Sequence, residues 1–360
     1  MCGICGFTGE VLDRNKIIED MTDVITHRGP DSSGYFINDD IAMGFRRLSI
    51  IDLEDGSQPI YNEDKTLVLT FNGEIYNYKE LKEELINNGH VFYTNTDSEV
   101  LIHGFEQWGE SMLNKLRGMF GFAIFNTVDK SVFLARDFFG IKPMHYAMVG
   151  DSFIYASEIK SILKFKGFEK KFNYKTLDNY LSFQYAVPPQ TFFEGVYCLL
   201  PGHYLWYKDN KIEITRYFEA KFNPDDNLTL DQAVDEIEKV FEESVNTHKI
   251  SDVEVGCFLS SGVDSSYVST YFPNQKTFTV GFDFGEKYNE ISWAERVSKE
   301  IGLEHHSKII SSDEFWDSID TVQYHMDQPL ADPSCIALYF VSKLASEHVK
   351  VALSGEGADE

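Results

Sequence analysis

Cys2 stands directly behind the initiator methionine, so loss of Met1 would leave one residue carrying both a thiol and a free α-amine. An α-amine titrates at about 8 and a thiol at about 8.5, so the pair can share a proton at neutral pH and deliver a sulfur nucleophile without a histidine. Two plainer readings of Cys2-Gly3-Ile4-Cys5 compete. One is a buried first strand; the other, a metal or redox CxxC, lacks a second ligand pair because Cys198, Cys257 and Cys335 are isolated. A second stretch with chemistry in it is Ser260-Ser261-Gly262-Val263-Asp264-Ser265-Ser266, which follows the mostly apolar run 253–259 and leads into a helix predicted from Tyr267. A strand, a tight loop and a helix N-terminus aim N–H groups, hydroxyls and the helix dipole at one point, a cradle for an anion such as pyrophosphate. It contains no lysine and no Gly-Lys-Ser/Thr, so it is not a Walker loop. Its plain alternative is a serine-rich turn capping a helix.

These residues need scaffolds, and 360 residues suffice for two domains, each with its own core. Hydrophobic residues at 43% and aromatics at 14% belong to a globular chain. No apolar run has the length to span a bilayer, and the N-terminus lacks the basic region of a signal peptide, so a cytoplasmic location is expected. Five unevenly spaced cysteines are read as free thiols. Fifty-eight acidic against thirty-two basic residues give a net charge of −26, which disfavours nucleic acid and membrane partners and leaves small molecules. Helical spacing marks 16–25. Short apolar runs at 119–125, 132–135, 144–148 and 153–156 predict strands of an antiparallel layer, and Lys208-Asp209-Asn210-Lys211 a hairpin turn. The polar stretch 223–227 is the best linker. Beyond it, a helix at 230–247 and strands at 253–259, 277–282, 305–310 and 349–353, separated by helices, imply an α/β doubly wound parallel sheet. Ligands of such sheets bind beyond the carboxyl ends of the strands, where the serine-rich loop and Ser354-Gly355-Glu356-Gly357-Ala358-Asp359-Glu360 both lie.

Cys2-Gly3-Ile4-Cys5-Gly6-Phe7 resembles the start of the class II glutamine amidotransferases, which are N-terminal nucleophile hydrolases. In the same order follow His27-Arg28-Gly29-Pro30-Asp31, Arg46-Arg47-Leu48-Ser49-Ile50, Phe71-Asn72-Gly73-Glu74 and Thr96-Asp97-Ser98-Glu99. Singly, each has a bland reading: a loop, a solvated strand-edge arginine, an Asn-Gly hairpin turn, a helix cap. The later stretches 135–143, 156–160 and 327–334 resemble asparagine synthetases, with structural or interface roles assigned to 135–143 and 156–160. The serine-rich loop is similar to that of the N-type ATP pyrophosphatases, except that Ser261 stands where those proteins usually have glycine. A Cβ there must tolerate the loop's dihedrals.

The resemblance implies an α+β N-terminal nucleophile hydrolase domain over 1–215, with two antiparallel sheets layered with helices, and an ATP pyrophosphatase domain over 229–360. It implies Cys2 as nucleophile, with Asn72 and Gly73 as oxyanion donors. Arg47, Leu48, Ser49, Ile50, Ile51, Asn72, Gly73, Glu74 and Asp97 would bind glutamine, Arg47 holding the α-carboxylate and Asp97 the α-ammonium. ATP falls to Leu259, Ser260, Ser261, Gly262, Val263, Asp264, Ser265, Ser266, Val280, Ser354 and Gly355. Mg²⁺ falls to Asp264 and Asp359, and Glu356 acts at the adenylate and amide-forming steps. The implied activity is glutamine-dependent asparagine synthesis: ammonia made at Cys2 passes inside the protein to an aspartyl-adenylate. Substrates would be glutamine, aspartate and ATP, with a homodimer left open. Relatives continue well past the last signature, so the chain is expected to be the first part of a longer enzyme. A glutaminase-only protein, a relative amidating or cyclising another carboxylate, and a non-enzymatic sensor are the alternatives.

Overall fold

Period-two alternation of apolar residues builds the amino-terminal unit. In the computed structural model, which describes residues 1–53, 56–272, 275–285 and 289–358, the strand Gly3–Thr8 pairs antiparallel with Ile41–Arg47 and with Ser152–Ala156. They belong to a six-stranded sheet ordered Val196–Cys198, His145–Val149, Ser152–Ala156, Gly3–Thr8, Ile41–Arg47, Ser32–Ile37. A second runs Lys211–Arg216, His203–Lys208, Val132–Arg136, Gly118–Asn126, Leu67–Ile75, Ile60–Tyr61. The sheets pack face to face: Ile4, Met43, Phe45, Phe153 and Tyr155 of the first meet Val68, Ala123, Phe125, Leu134 and Leu205 of the second. On the outer face of the first sheet, Cys5, Phe7, Ile154 and Ala156 pack on Ile17, Ile18 and Met21 of the helix Arg14–Asp23. The outer face of the second, with Leu69, Phe71, Phe120 and Phe122, takes Leu81 and Leu85 from Tyr78–Asn87 and Val100 to Ile102 from Glu99–Trp108. The unit is thus helix, sheet, sheet, helix, the layered α+β arrangement expected.

Cys2 and Cys5 fall on opposite faces of the first sheet, Cys2 against the inter-sheet core and Cys5 within the outer one. That separates the two halves of a CxxC. Asn72-Gly73 forms no hairpin turn; it lies inside the strand Leu67–Ile75, paired with Gly121 and Phe120. The hairpin at Asp209-Asn210 is present, both residues with positive φ (50° and 59°), between strands joined at Lys208 and Lys211.

The first compact unit is Met1–Lys221 with Asp327–Pro329, and the second is Phe222–Met326 with Leu330–Glu360. The second has a wholly parallel sheet ordered Glu304–Ile310, Lys276–Phe282, Val255–Phe258, Val351–Leu353. Val255 and Cys257 pack on Val245, Val268 and Phe272, and on the opposite face Phe278 packs on Val341, Ala345 and Val349. Both faces therefore carry helices, as parallel sheets require. One helix starts earlier than its sequence suggests: Val263–Thr270 begins inside the serine-rich stretch, so Asp264, Ser265 and Ser266 occupy its first turn and do not form a loop ahead of Tyr267.

Candidate active site

Cys2 sits one residue before the strand Gly3–Thr8 and is held from two sides. Its Sγ lies 3.5 Å from the Leu48 N–H and 3.7 Å from the Leu48 carbonyl oxygen. Arg28 Nε donates to the Cys2 carbonyl at 2.9 Å, and Arg28 Nη1 to Glu158 Oε1 at 2.8 Å. Glu158 also accepts from Lys160 and lies 2.9 Å from His27 Nε2. Burial alone would raise Glu158, but the His27 hydrogen bond and the Arg28 and Lys160 charges reverse this and hold it below the usual carboxylate range. Gly3 makes room for this tether, because a Cβ there would come within 2.9 Å of Ile25 and 3.2 Å of Arg28 Cδ. Burial pushes the Cys2 thiol up, so the sulfur is not a standing thiolate. Met1 exposes its side chain while its amine end turns inward, and burial lowers that amine to about 5.

A pocket opens beside Cys2. Arg47, Leu48, Ile50, Ile51, Gly73, Glu74 and Asp97 line it, with Ser98 and Gln58 among the other wall residues. Arg47 is buried, its guanidinium held by the Asp52 carbonyl and lying 3.4 Å from that of Ile51. Gly56 lets it pass: a Cβ there would lie 2.2 Å from Arg47 Nη2. Asp97 precedes the helix Glu99–Trp108 yet caps nothing there. Its Oδ2 accepts from the Ile75 N–H at 2.8 Å. Burial raises Asp97 to about 7 against the pull of that N–H, and burial together with the Asp97 charge puts Glu74 well above the carboxylate range. Two neighbouring carboxylates held above their usual range, one buried and one half-buried, are a seat for a cation such as an ammonium group.

Asn72 is 1% exposed, and neither its amide oxygen nor its amide nitrogen has a hydrogen-bond partner among the described residues. An unpaired buried amide costs about 1–3 kcal/mol, and such groups concentrate at functional sites. Next to it a Cβ on Gly73 would come within 2.1 Å of the Met119 carbonyl oxygen, so only glycine fits.

In the second unit, Leu259 is buried and donates its N–H to the Phe278 carbonyl at 2.9 Å. Ser260 Oγ and Ser265 Oγ are 2.8 Å apart, and the Gly262 N–H donates to Ser260 Oγ at 3.0 Å. No side chain caps Val263–Thr270, whose first backbone bond runs from the Ser266 N–H to the Gly262 carbonyl. The amides of Val263, Asp264 and Ser265 precede that bond and are not engaged by the helix's own ladder. Ser261 is not among the positive-φ residues, so its Cβ imposes no backbone strain, and its N–H lies 3.4 Å from Glu290 Oε2. Gly355 abuts this turn: a Cβ there would lie 2.7 Å from the Ser265 nitrogen and 2.9 Å from the Asp264 carbonyl carbon. Ser354, Gly355 and exposed Glu356 are thereby brought to the helix N-terminus, and Val280 lies on the adjacent strand Lys276–Phe282. Asp359 lies outside the described residues.

Of the residues expected around glutamine, Cys2, Arg47, Leu48, Ile50, Ile51, Gly73, Glu74 and Asp97 line one pocket; Ser49 and Asn72 do not. Asn72 adjoins through Gly73, and the Ser49 N–H donates to Asp31 Oδ2 at 2.9 Å. Lys142 was missed by sequence reading. It is 4% exposed, interacts electrostatically with Glu74, Arg28 and Cys2, and is lowered by burial to about 8. Only its position in the turn Gly140-Ile141-Lys142-Pro143, among apolar neighbours, hinted that it was not a solvated charge.

Two families match. The glutamine amidotransferase domain covers residues 1–218 and the asparagine synthase family residues 236–360. The chain is 42% identical over 370 residues to asparagine synthetase [glutamine-hydrolyzing] 1 of Bacillus subtilis, covering 99% of this chain and 58% of that protein. It is 39% identical over 389 residues to a putative asparagine synthetase [glutamine-hydrolyzing] of Mycobacterium bovis, covering 100% of this chain and 60% of that one. To putative asparagine synthetase [glutamine-hydrolyzing] 2 of Methanocaldococcus jannaschii it is 34% identical over 392 residues, covering 100% and 75% respectively. The chain thus spans 58% and 60% of the length of the first two relatives. With the amidotransferase domain over more than half its length and a 34%-identical relative three-quarters covered, the chain belongs to the family of glutamine-hydrolysing asparagine synthetases.

Proposed function

We propose that the chain hydrolyses glutamine at Cys2 and that the enzyme carrying it uses the ammonia to amidate aspartate, with ATP converted to AMP and pyrophosphate. The observation that carries the first half is the meeting of a half-buried thiol, a buried arginine, the buried carboxylate of Asp97 and the half-buried one of Glu74 in one pocket, with an unpaired amide next to it. Glutamine matches that set group for group. Arg47 takes the α-carboxylate, Asp97 and Glu74 the α-ammonium, and the side-chain amide is left pointing toward Cys2.

Removal of Met1 turns the nitrogen of Cys2 into the terminal amine. That amine, whose ordinary pKa is about 8, can accept the thiol proton as Sγ attacks the amide carbon. Asn72 and the Gly73 N–H receive the oxyanion. The amine then returns the proton to the leaving nitrogen, the C–N bond breaks and ammonia departs, leaving a thioester. Water, deprotonated by the same amine, cleaves the thioester to glutamate and restores the thiol.

At the second centre, the first-turn amides of Val263–Thr270 and the hydroxyls of Ser260, Ser265 and Ser266 would hold the pyrophosphate portion of ATP. Asp264 and Asp359 would hold Mg²⁺, which when bound neutralises charge on the phosphates. Glu356 serves the adenylate and amide-forming steps. Free cysteines and substrates of central metabolism fit a cytoplasmic setting; no helix among the described residues is long and apolar enough to cross a membrane.

The test is to supply glutamine, ATP and Mg²⁺ with aspartate or with other carboxylic acids to the enzyme carrying this chain. Asparagine, AMP and pyrophosphate should form together, and only with aspartate. Glutamate release without any acid-dependent AMP would leave a glutaminase alone. Intact mass should also show that active material lacks Met1.

A further inference from the structure

Away from the glutamine pocket, three segments of the first unit converge on four ligand-type side chains. Glu63 follows the strand Ile60–Tyr61, His90 follows the helix Tyr78–Asn87, and His103 and Glu106 stand three apart on Glu99–Trp108. One donor atom from each lies within 4.8 Å of the others. Glu63 Oε1 is 3.2 Å and Glu106 Oε2 3.7 Å from His90 Nδ1, and Glu63 Oε2 is 3.3 Å from His103 Nδ1. Bonds of 2.0–2.1 Å to a tetrahedral zinc place neighbouring ligand atoms about 3.3 Å apart, so three of these separations already match or nearly match.

Protons are what single out this cluster from a set of ion pairs. Glu99 is buried and accepts from the N–H groups of Tyr93 and Thr94, each at 2.7 Å, and from the Thr94 hydroxyl. It can only accept, so His103 Nε2, 3.4 Å from Glu99 Oε1, carries the ring proton. The lone pair of neutral His103 is then on Nδ1. That atom is fully buried, has no hydrogen-bond partner among the described residues, and faces the Glu63 carboxylate outside hydrogen-bonding geometry. His90 differs: its Nδ1 is hydrogen-bonded to Glu63 Oε1 at 3.2 Å, and its Nε2 lies 3.1 Å from the Gln107 side-chain oxygen. The His103 Nδ1 lone pair aimed at the Glu63 carboxylate repels it unless a proton or a metal cation lies between them. The outer partners are also in place: the Val91 N–H donates to Glu63 Oε1 at 2.9 Å, and Asn62 Nδ2 lies 3.3 Å from Glu106 Oε1.

We propose that Glu63, His90, His103 and Glu106 form a zinc site that fastens the turn after Ile60–Tyr61 and the connection after Tyr78–Asn87 to the helix Glu99–Trp108. Two imidazoles and two carboxylates suit a borderline ion better than Mg²⁺ or Ca²⁺. Four protein ligands from three segments mark a structural site.

The test uses the 360-residue chain stripped with EDTA, then given equimolar Zn²⁺ and gel-filtered. Wild type should retain one equivalent by elemental analysis, and its melting temperature should rise by at least about 2 °C. Cobalt(II) in place of zinc should give the strong visible absorption of a four-coordinate ion. His90→Gln and Glu106→Gln, both at positions with solvent access and checked for native circular dichroism, should each bind zinc at least roughly tenfold more weakly. Cys2 is intact in both variants, so zinc held there would survive. Zinc retained equally by wild type and both variants, or no zinc retained by wild type, overturns the proposal and leaves the four residues as ion pairs only.

Discussion

Asn72 and Asp97 are the residues whose burial conflicts most with their chemistry, and each makes a prediction that a structural role alone would not. Both ends of the Asn72 amide are unpaired among the described residues, so Asn72→Ala removes no hydrogen bond seen there. Glutamine turnover should fall by about 10²–10³-fold, as for loss of one oxyanion donor, while the melting temperature stays level or rises. A large drop in stability would mean that Asn72 is a packing residue. Asp97→Asn should raise the glutamine KM roughly ten- to a hundredfold, since a charge-assisted hydrogen bond to an ammonium contributes about 1.5–3 kcal/mol. In wild type the same KM should climb as pH falls below about 7, where Asp97 gains a proton and loses its charge. The stability sign runs the other way. Between about pH 4 and 7 the folded protein holds a proton on Asp97 that the unfolded chain has lost, so this residue destabilises the fold as pH rises through that window. Melting curves of Asp97→Asn should therefore decline less than those of wild type over that range. Cys2, Arg47 and Asp97 are legible in the sequence by type and order. The unpaired state of Asn72 and the inward course of Lys142 are not, because both depend on partners far along the chain.

At the scale of elements, local signals served well where one face decides the outcome. The hairpin at Asp209-Asn210, the helix read at 16–25 and the parallel strands follow from period and turn chemistry. They misled where tertiary packing overrides a strong dipeptide. Asn-Gly favours a tight turn, yet at Asn72-Gly73 the pairing of Leu67–Ile75 with Gly118–Asn126 runs straight through, and Gly73 serves close backbone approach to Met119. The serine-rich stretch misled similarly: hydroxyl residues signal a turn, but here they form the first turn of Val263–Thr270, where Ser265 and Ser266 bond back to the Gly262 carbonyl. Two glycines hold neighbouring elements at contact distance, and their alanine variants separate the two centres. Gly56→Ala would drive a methyl into the Arg47 guanidinium and should weaken glutamine binding at least roughly tenfold without touching pyrophosphate exchange into ATP. Gly355→Ala presses on the Ser265 nitrogen and should do the reverse. Equal loss of both activities in either variant would point to general misfolding.

At the scale of the molecule, two units have separate cores, one holding the thiol pocket and the other the serine-rich helix start. The parallel class of the second sheet was readable from the alternation of strand and helix that begins at Val253. The assignment of Asp327–Pro329 to the first unit was not, since a three-residue excursion carries no periodicity. On the proposed function, Cys2 serves the glutamine chemistry and not the ATP chemistry. In the enzyme carrying this chain, Cys2→Ala should keep ammonia-dependent amidation while losing the glutamine-dependent route. The most direct measurement is glutamate release from glutamine by the purified 360-residue chain and its Cys2→Ala variant under identical conditions. Wild type freed of Met1 should turn glutamine over, and the variant should fall by at least about 10³-fold, to the background of buffer. Hydrolysis by the variant at a rate near that of wild type would contradict the assignment of Cys2 as the nucleophile.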